Sequence, residues 1–284
     1  MQQEITDNND IFDIEAAYEF LNTHDSPLNR IRLDHWSGTI SDEEFCKSLS
    51  EYQHENGGFM GGLDPDYNGT EGSIHSSIEA LRIFVSHHQT ENSCIDKLIE
   101  FLNNTQLPDG TWCELPAVMK DPMAPQWYAP AQYRIYETAS IAGYGIDIGY
   151  VQPWAKAVRY LKAVWAQIPV ADTPQPYNAI LLLIGRSKAP EDREIIFDAI
   201  DNIGHLARKN KVDPYDAANI IETLNNVEFP EAKDLMIRLV DIVKNAQNAE
   251  DGGINTAYGK HLKPHATFNA LMAVALMMQR GLIQ

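Results

Sequence analysis

Three phrases constrain the fold most. "QHENGGF" (53–59), "QLPDGTW" (106–112) and "QNAEDGGI" (247–254) each run from a glutamine, through a turn holding Gly with Asp or Asn, to a large apolar residue. Each follows an amphipathic stretch. Glycine past a helix end permits the left-handed conformation that closes a helix. The glutamine amide can donate to exposed helix-end carbonyls and accept from a neighbouring N–H. The apolar residue then packs back on the helix just completed. The phrase therefore reads as a structural staple that recurs along the chain, and recurrence means a repeat architecture.

The helix that follows each staple begins in a recognisable way. "SIHSSIEAL" (73–81) aligns with "KPHATFNAL" (263–271), and "RIYETASIA" (134–142), "QPYNAILLL" (175–183) and "DPYDAANII" (213–221) fall between them. All five carry His or Tyr in the first turn: His75, Tyr136, Tyr177, Tyr215 and His265. Pro precedes three of them, at 176, 214 and 264, where its missing N–H would have had no partner anyway. The preceding helices, read over 94–104, 154–168, 192–209 and 231–248, show the helical apolar period, and no strand alternation competes with it. Residues 14–36 supply a sixth, irregular hairpin, as a terminal repeat would. The expectation is one all-α domain over residues 1–284, an (α/α)6 toroid of helical hairpins. Its irregular hairpin spans about 11–42 and its clear repeats about 43–284. Second helices such as "NAILLLIG" and "NALMAVALMM" are apolar all round, as an inner ring requires.

Composition narrows the partners. Forty Asp and Glu against 22 Lys and Arg give a net charge of −18, which argues against nucleic acid and anionic membranes. No basic cluster is present to hold a diphosphate. The first twenty residues have neither a basic nor an apolar signal region, no run is long enough to span a bilayer, and the three cysteines form no CxxC. A cytoplasmic protein without structural zinc is expected.

"QLPDGTW" resembles the Q-x(2–5)-G-x-W repeat of squalene–hopene and oxidosqualene cyclases, with "QHENGGF" and "QNAEDGGI" as Phe and Ile versions. The stretches after the first and last staple are also similar to the beta subunits of protein prenyltransferases, which share the toroid. The resemblance covers roughly residues 40–280. It implies a terpene cyclase-like protein, an isomerase or lyase, with a cavity where the inner helices begin. The residues placed there by resemblance are His75, Tyr136, Glu137, Tyr177, Tyr215, Asp216 and His265. The loops above add Asp64, Asp66, Tyr67, Trp112, Trp127, Tyr128 and Tyr258. Aromatic faces stabilise carbocations, and apolar walls exclude the water that would quench them.

Departures from the family patterns limit the chemistry. Cyclases that protonate an alkene use D-x-D-D, whereas "DPYDAA" (213–218) puts Tyr215 where the acid would stand. A phenol with a pKa near 10 is a poor substitute. The candidate acids are then Asp216 and Asp66. His75 and His265 are candidate bases or polar anchors. Tyr136, Glu137, Tyr177, Tyr215, Trp112, Trp127 and Asp64 are candidate substrate contacts. No D-D-x-x-D run holds Mg²⁺, and "LDPDYNGTE" (63–71) offers at most a weak Ca²⁺ or Mg²⁺ loop, so no cofactor is expected. His265 sits where the prenyltransferase zinc histidine does, but the D-x-C partner is absent. The functional expectation is a small cyclase acting on an isoprenoid or polyene by acid-initiated carbocation chemistry. The alternatives are a non-catalytic toroid that binds an apolar ligand or a protein, and a carbohydrate-active α/α-barrel enzyme using paired carboxylates.

Overall fold

The structure, a computed structural model, describes residues 12–24, 26–128, 133–165 and 172–283. Among these residues every regular element is a helix. In chain order they are α1 (Ile14–Thr23), α2 (Pro27–Trp36), α3 (Asp42–Ser50), α4 (Ile74–Ser86), α5 (Ser93–Thr105) and α6 (Tyr133–Asp147). Then follow α7 (Trp154–Trp165), α8 (Gln175–Ile184), α9 (Arg193–Arg208), α10 (Pro214–Leu224), α11 (Pro230–Asn245) and α12 (Lys263–Gln279). The five aligned starts are the openings of α4, α6, α8, α10 and α12. The helix read over 154–168 runs to Trp165, and its last residues lie outside the described ones. The helix read over 231–248 stops at Asn245, because Gln247 leaves the helix to bond elsewhere.

The first helices of the hairpins are amphipathic. In α5 the buried residues Cys94, Ile95, Leu98, Phe101 and Leu102 form one stripe, and Asn92 caps the helix by accepting from Cys94 and Ile95 N–H. The second helices are buried more fully. In α8 the run Ala179–Ile184 is buried throughout.

The chain forms two compact units, residues 30–203 and residues 1–29 with 204–284. In the first, α4 packs on α6 and α6 on α8, so second helices neighbour one another. In the second, α10 packs on α12, and α12 also packs on α1.

The staples make three kinds of bond. Gln53 Nε2 donates to Gly57 O (2.9 Å) and to Cys94 O (2.8 Å) at the start of α5. Gln247 Nε2 donates to Gly252 O (3.0 Å) and to Asp13 O (2.8 Å) at the start of α1, and Gln247 Oε1 accepts Asp13 N–H (2.8 Å). Gln106 Nε2 closes its own turn on Gly110 O (3.0 Å). The apolar anchors Phe59, Trp112 and Ile254 are all 0% exposed. Their N–H groups donate to hydroxyls on the helix that follows: Ser77 (3.1 Å), Thr138 (3.2 Å) and Thr267 (2.8 Å). These hydroxyls stand two residues after His75, Tyr136 and His265. Where no staple precedes the helix, in α8 and α10, that position is Ala179 or Ala217.

The third bond reaches back. Two residues past Trp112, Glu114 caps the start of α4. Two residues past Ile254, Thr256 Oγ1 donates to Asp213, the cap of α10 (2.8 Å). Gly57 (φ +92°) and Gly252 (φ +75°) admit no side chain, since a Cβ would lie 2.3 Å from Lys97 O and Ala16 O respectively.

Candidate active site

In residues 30–203 most of the sequence-derived candidates form one group around the start of α4. Ser73 caps this helix, and His75 is its second residue. The segment between α5 and α6 folds a short helical turn, Gln126–Tyr128, onto the His75 ring. His75 stacks on Tyr128 at 4.0 Å and 6°, meets Trp127 edge-on at 5.0 Å, and lies 6.0 Å from Tyr136. Tyr128 in turn packs with Tyr67 and Val118.

The acid of this group is Asp64. It is buried, its Oδ2 accepts from Tyr128 OH (2.7 Å), and its Oδ1 accepts from Asp66 N–H (2.9 Å). Burial pushes its pKa up from 3.8 to about 6, against the opposing pull of His75 and the two donors. Tyr128 is driven upward too, first by burial and then by the Asp64 charge, so the phenol stays a donor. Glu137, in the first turn of α6, brings Oε1 within 3.2 Å of His75 Nε2, with both side chains 2% exposed. The approach is off the line a hydrogen bond needs, so neither atom has a hydrogen-bond partner among the described residues.

Other candidates fall elsewhere. Trp112, expected as a pocket wall, is 0% exposed and belongs to the staple: its indole N–H donates to Leu102 O (2.9 Å) on α5. A ring enclosed on all sides has no face for a ligand. Asp66, expected as an acid, is half-buried and supplies its backbone N–H to Asp64. Tyr177 is buried on α8 and meets Trp165 edge-on at 6.2 Å.

In the unit of residues 1–29 and 204–284, α10 and α12 hold the remaining candidates. Asp213 is committed to structure, accepting from Tyr215 N–H (2.8 Å), Thr256 Oγ1 (2.8 Å) and Ala257 N–H (2.7 Å). Asp216 is buried and accepts from Tyr258 OH, and the Tyr258 ring stands edge-on to Tyr215 at 6.3 Å. His265 is buried in the first turn of α12. The two units share a device: a loop tyrosine ahead of an inner helix donates to a buried carboxylate of the preceding hairpin. Among the described residues no three His, Cys, Asp or Glu side chains stand together as a metal-holding group, and no helix is long and apolar enough to cross a membrane.

Sequence reasoning missed Glu114, Thr138 and Thr267. The hydroxyl two residues past His75, Tyr136 and His265 was a readable signal. Glu114 gave none, because its partners are backbone N–H groups that no sequence pattern displays.

The chain matches no protein-family model and no curated protein sequence. Solved structures do resemble it, and they define a class: helical proteins with a terpene cyclase-like fold. Type II terpene cyclase MstE from Scytonema, without ligand, aligns with a TM-score of 0.57 at 10% identity over 95% of this chain and 98% of its own. A variant of the same enzyme in complex with merosterolic acid A, its product, aligns with a TM-score of 0.59 at 10% identity over 94% and 96%. A protein from Actinoplanes aligns with a TM-score of 0.57 at 12% identity over 93% and 98%. At such identities the likeness shows the fold alone, the all-α toroid class that the repeats predict.

Proposed function

We propose that this protein is a small terpenoid cyclase-like enzyme, which protonates an isoprenoid or polyene substrate and guides the resulting carbocation. The observation that carries the reading is Asp64, a buried carboxyl held near neutrality and set among aromatic rings. The likeness of fold to an MstE variant in complex with geranylgeranyl dihydroxybenzoate, its substrate, supports the substrate class. Asp64 has the two properties an alkene-protonating acid needs. Burial raises its pKa to about 6, so a minor protonated fraction is present at neutral pH, and Tyr128 OH with Asp66 N–H stabilises the carboxylate left behind. The faces of Tyr136 and Trp127 suit a passing cation. His75 and Glu137 are the polar groups positioned to take the final proton. Asp216 with Tyr258 is the second acid candidate, and Asp66 retains a backbone role.

The test is direct. Organic extraction and mass spectrometry of the purified protein look for a copurified isoprenoid, and a panel of linear polyprenyl compounds is then assayed for cyclisation. Asp64→Asn removes turnover while leaving the fold intact. Full turnover in Asp64→Asn excludes this acid, and loss in Asp216→Asn alone transfers the role to Asp216. A second reading, a toroid that binds an apolar ligand without chemistry, is favoured by the commitment of Asp213 to capping α10. Recovery of the bound ligand unchanged by the wild-type protein selects it.

A further inference from the structure

The side chain that builds the Asp64–Tyr128–His75 group is Glu114, which touches none of its reacting atoms. Its carboxylate is buried and accepts four hydrogen bonds. Oε2 takes Ser73 OH (2.7 Å) and His75 N–H (3.2 Å), and Oε1 takes Ile74 N–H (3.0 Å) and Leu115 N–H (2.8 Å). Ile74 and His75 are the first two residues of α4, whose N–H groups have no partner inside the helix. The third, Ser76 N–H, goes to Ser73 Oγ (3.2 Å), so the start of α4 is fully satisfied only with Glu114 in place. A carboxylate there also meets the positive end of the helix dipole.

The fourth donor makes this more than a helix cap. Leu115 N–H is the root of the segment that ends in Trp127 and Tyr128. Leu115 also packs against the Tyr67, Val118 and Tyr128 cluster. One carboxylate thus holds both halves of the His75–Tyr128 stack: the backbone of His75 through Oε2, and the seat of Tyr128 through Oε1. Tyr128 then carries the hydrogen bond to Asp64.

We infer that Glu114 is the positioning residue of this site, fixing the His75 ring under Tyr128 and, through Tyr128, the orientation of Asp64. The catalytic half of the inference rests on the proposed function; the positioning half does not.

The experiment is Glu114→Gln on the full chain, read first without ligand by NMR. In the wild type the His75 ring protons lie beneath Tyr128 and carry its ring-current displacement upfield. In Glu114→Gln one acceptor becomes an NH₂ facing backbone donors, and that displacement is lost together with a change at Tyr128. Thr267→Val, a destabilising change in the other unit, leaves both signals in place, which separates positioning from general loss of stability. If Glu114→Gln does not fold, Ser73→Ala removes one of the four donors and gives a smaller displacement of the same signals. Unmoved His75 and Tyr128 signals in a folded Glu114→Gln protein, or in Ser73→Ala where that is the variant read, overturn the inference. With a substrate in hand, kcat falls by about tenfold to a hundredfold with KM little changed. Moved signals without any turnover in the wild type refute the cyclase reading and leave the positioning role standing.

Discussion

The bond from each staple to its following helix can be measured on one atom. In the staple that closes on α1, Ile254 N–H donates to Thr267 Oγ1 at 2.8 Å, and both residues are 0% exposed. The same hydroxyl donates to Lys263 O inside α12. Thr267→Val keeps the shape and removes the acceptor, so no cavity opens and Ile254 N–H is left buried without that partner. A buried donor stripped of its partner costs about 1–3 kcal/mol. With a urea dependence near 2 kcal/mol per molar, the unfolding midpoint falls by on the order of 1 M at unchanged slope. Thr223→Val is the matched control. Thr223 is 4% exposed on α10, and its hydroxyl donates to Asn219 O, a carbonyl already within the helix. No N–H depends on it, so the stability stays within about 0.5 kcal/mol of wild type. Amide exchange adds a local reading, since Ile254 exchanges faster in Thr267→Val and not in Thr223→Val. Equal losses in the two variants, or an Ile254 amide as protected as before, refute the account of the staple.

Asp64 predicts a pH dependence. Its folded pKa of about 6 lies above the 3.8 of an unfolded chain, so the native state binds the proton more tightly. The stability it contributes is complete below about pH 4 and is lost as pH rises through about 6. Urea midpoints measured across that window fall for the wild type more steeply than for Asp64→Asn. Tyr128→Phe removes a hydrogen bond that favours the Asp64 carboxylate, so the Asp64 carboxyl carbon titrates at higher pH by NMR. Gly252→Ala places a Cβ on Ala16 O at 2.3 Å and lowers the melting temperature sharply. Gly38→Ala, at φ +74° with no atom within 4 Å, suffers only the left-handed penalty of about 1–2 kcal/mol.

The fold was legible because its repeats are written in residue types that have local causes. Gln53, Gly57 and Phe59 each do something a short segment can demand: satisfy carbonyls, turn left-handed, and bury a large ring. The helix starts were legible for the same reason, through Pro at 176, 214 and 264 and the paired His75 and His265. The site was legible as a set of places but not as a set of jobs. Trp112 and Trp127 look alike in sequence, yet one is sealed in a staple and the other is 36% exposed beside His75. Asp64 and Asp66 stand two residues apart in an acidic turn. Only the fold of the segment ending at Tyr128 decides which becomes the buried acid and which lends it an N–H. That segment is tied down through Glu114, whose partners are backbone groups and leave no trace in residue identity. The hydroxyl rule differs in kind. Ser77, Thr138 and Thr267 follow a staple, while Ala179 and Ala217 do not. A buried anchor N–H needs an acceptor, and where no anchor exists no N–H calls for a hydroxyl at that position, where alanine stands. A Ser or Thr two residues past the first-turn His or Tyr therefore marks a stapled hairpin, even where, as at Ile254, the anchor has lost its aromatic ring.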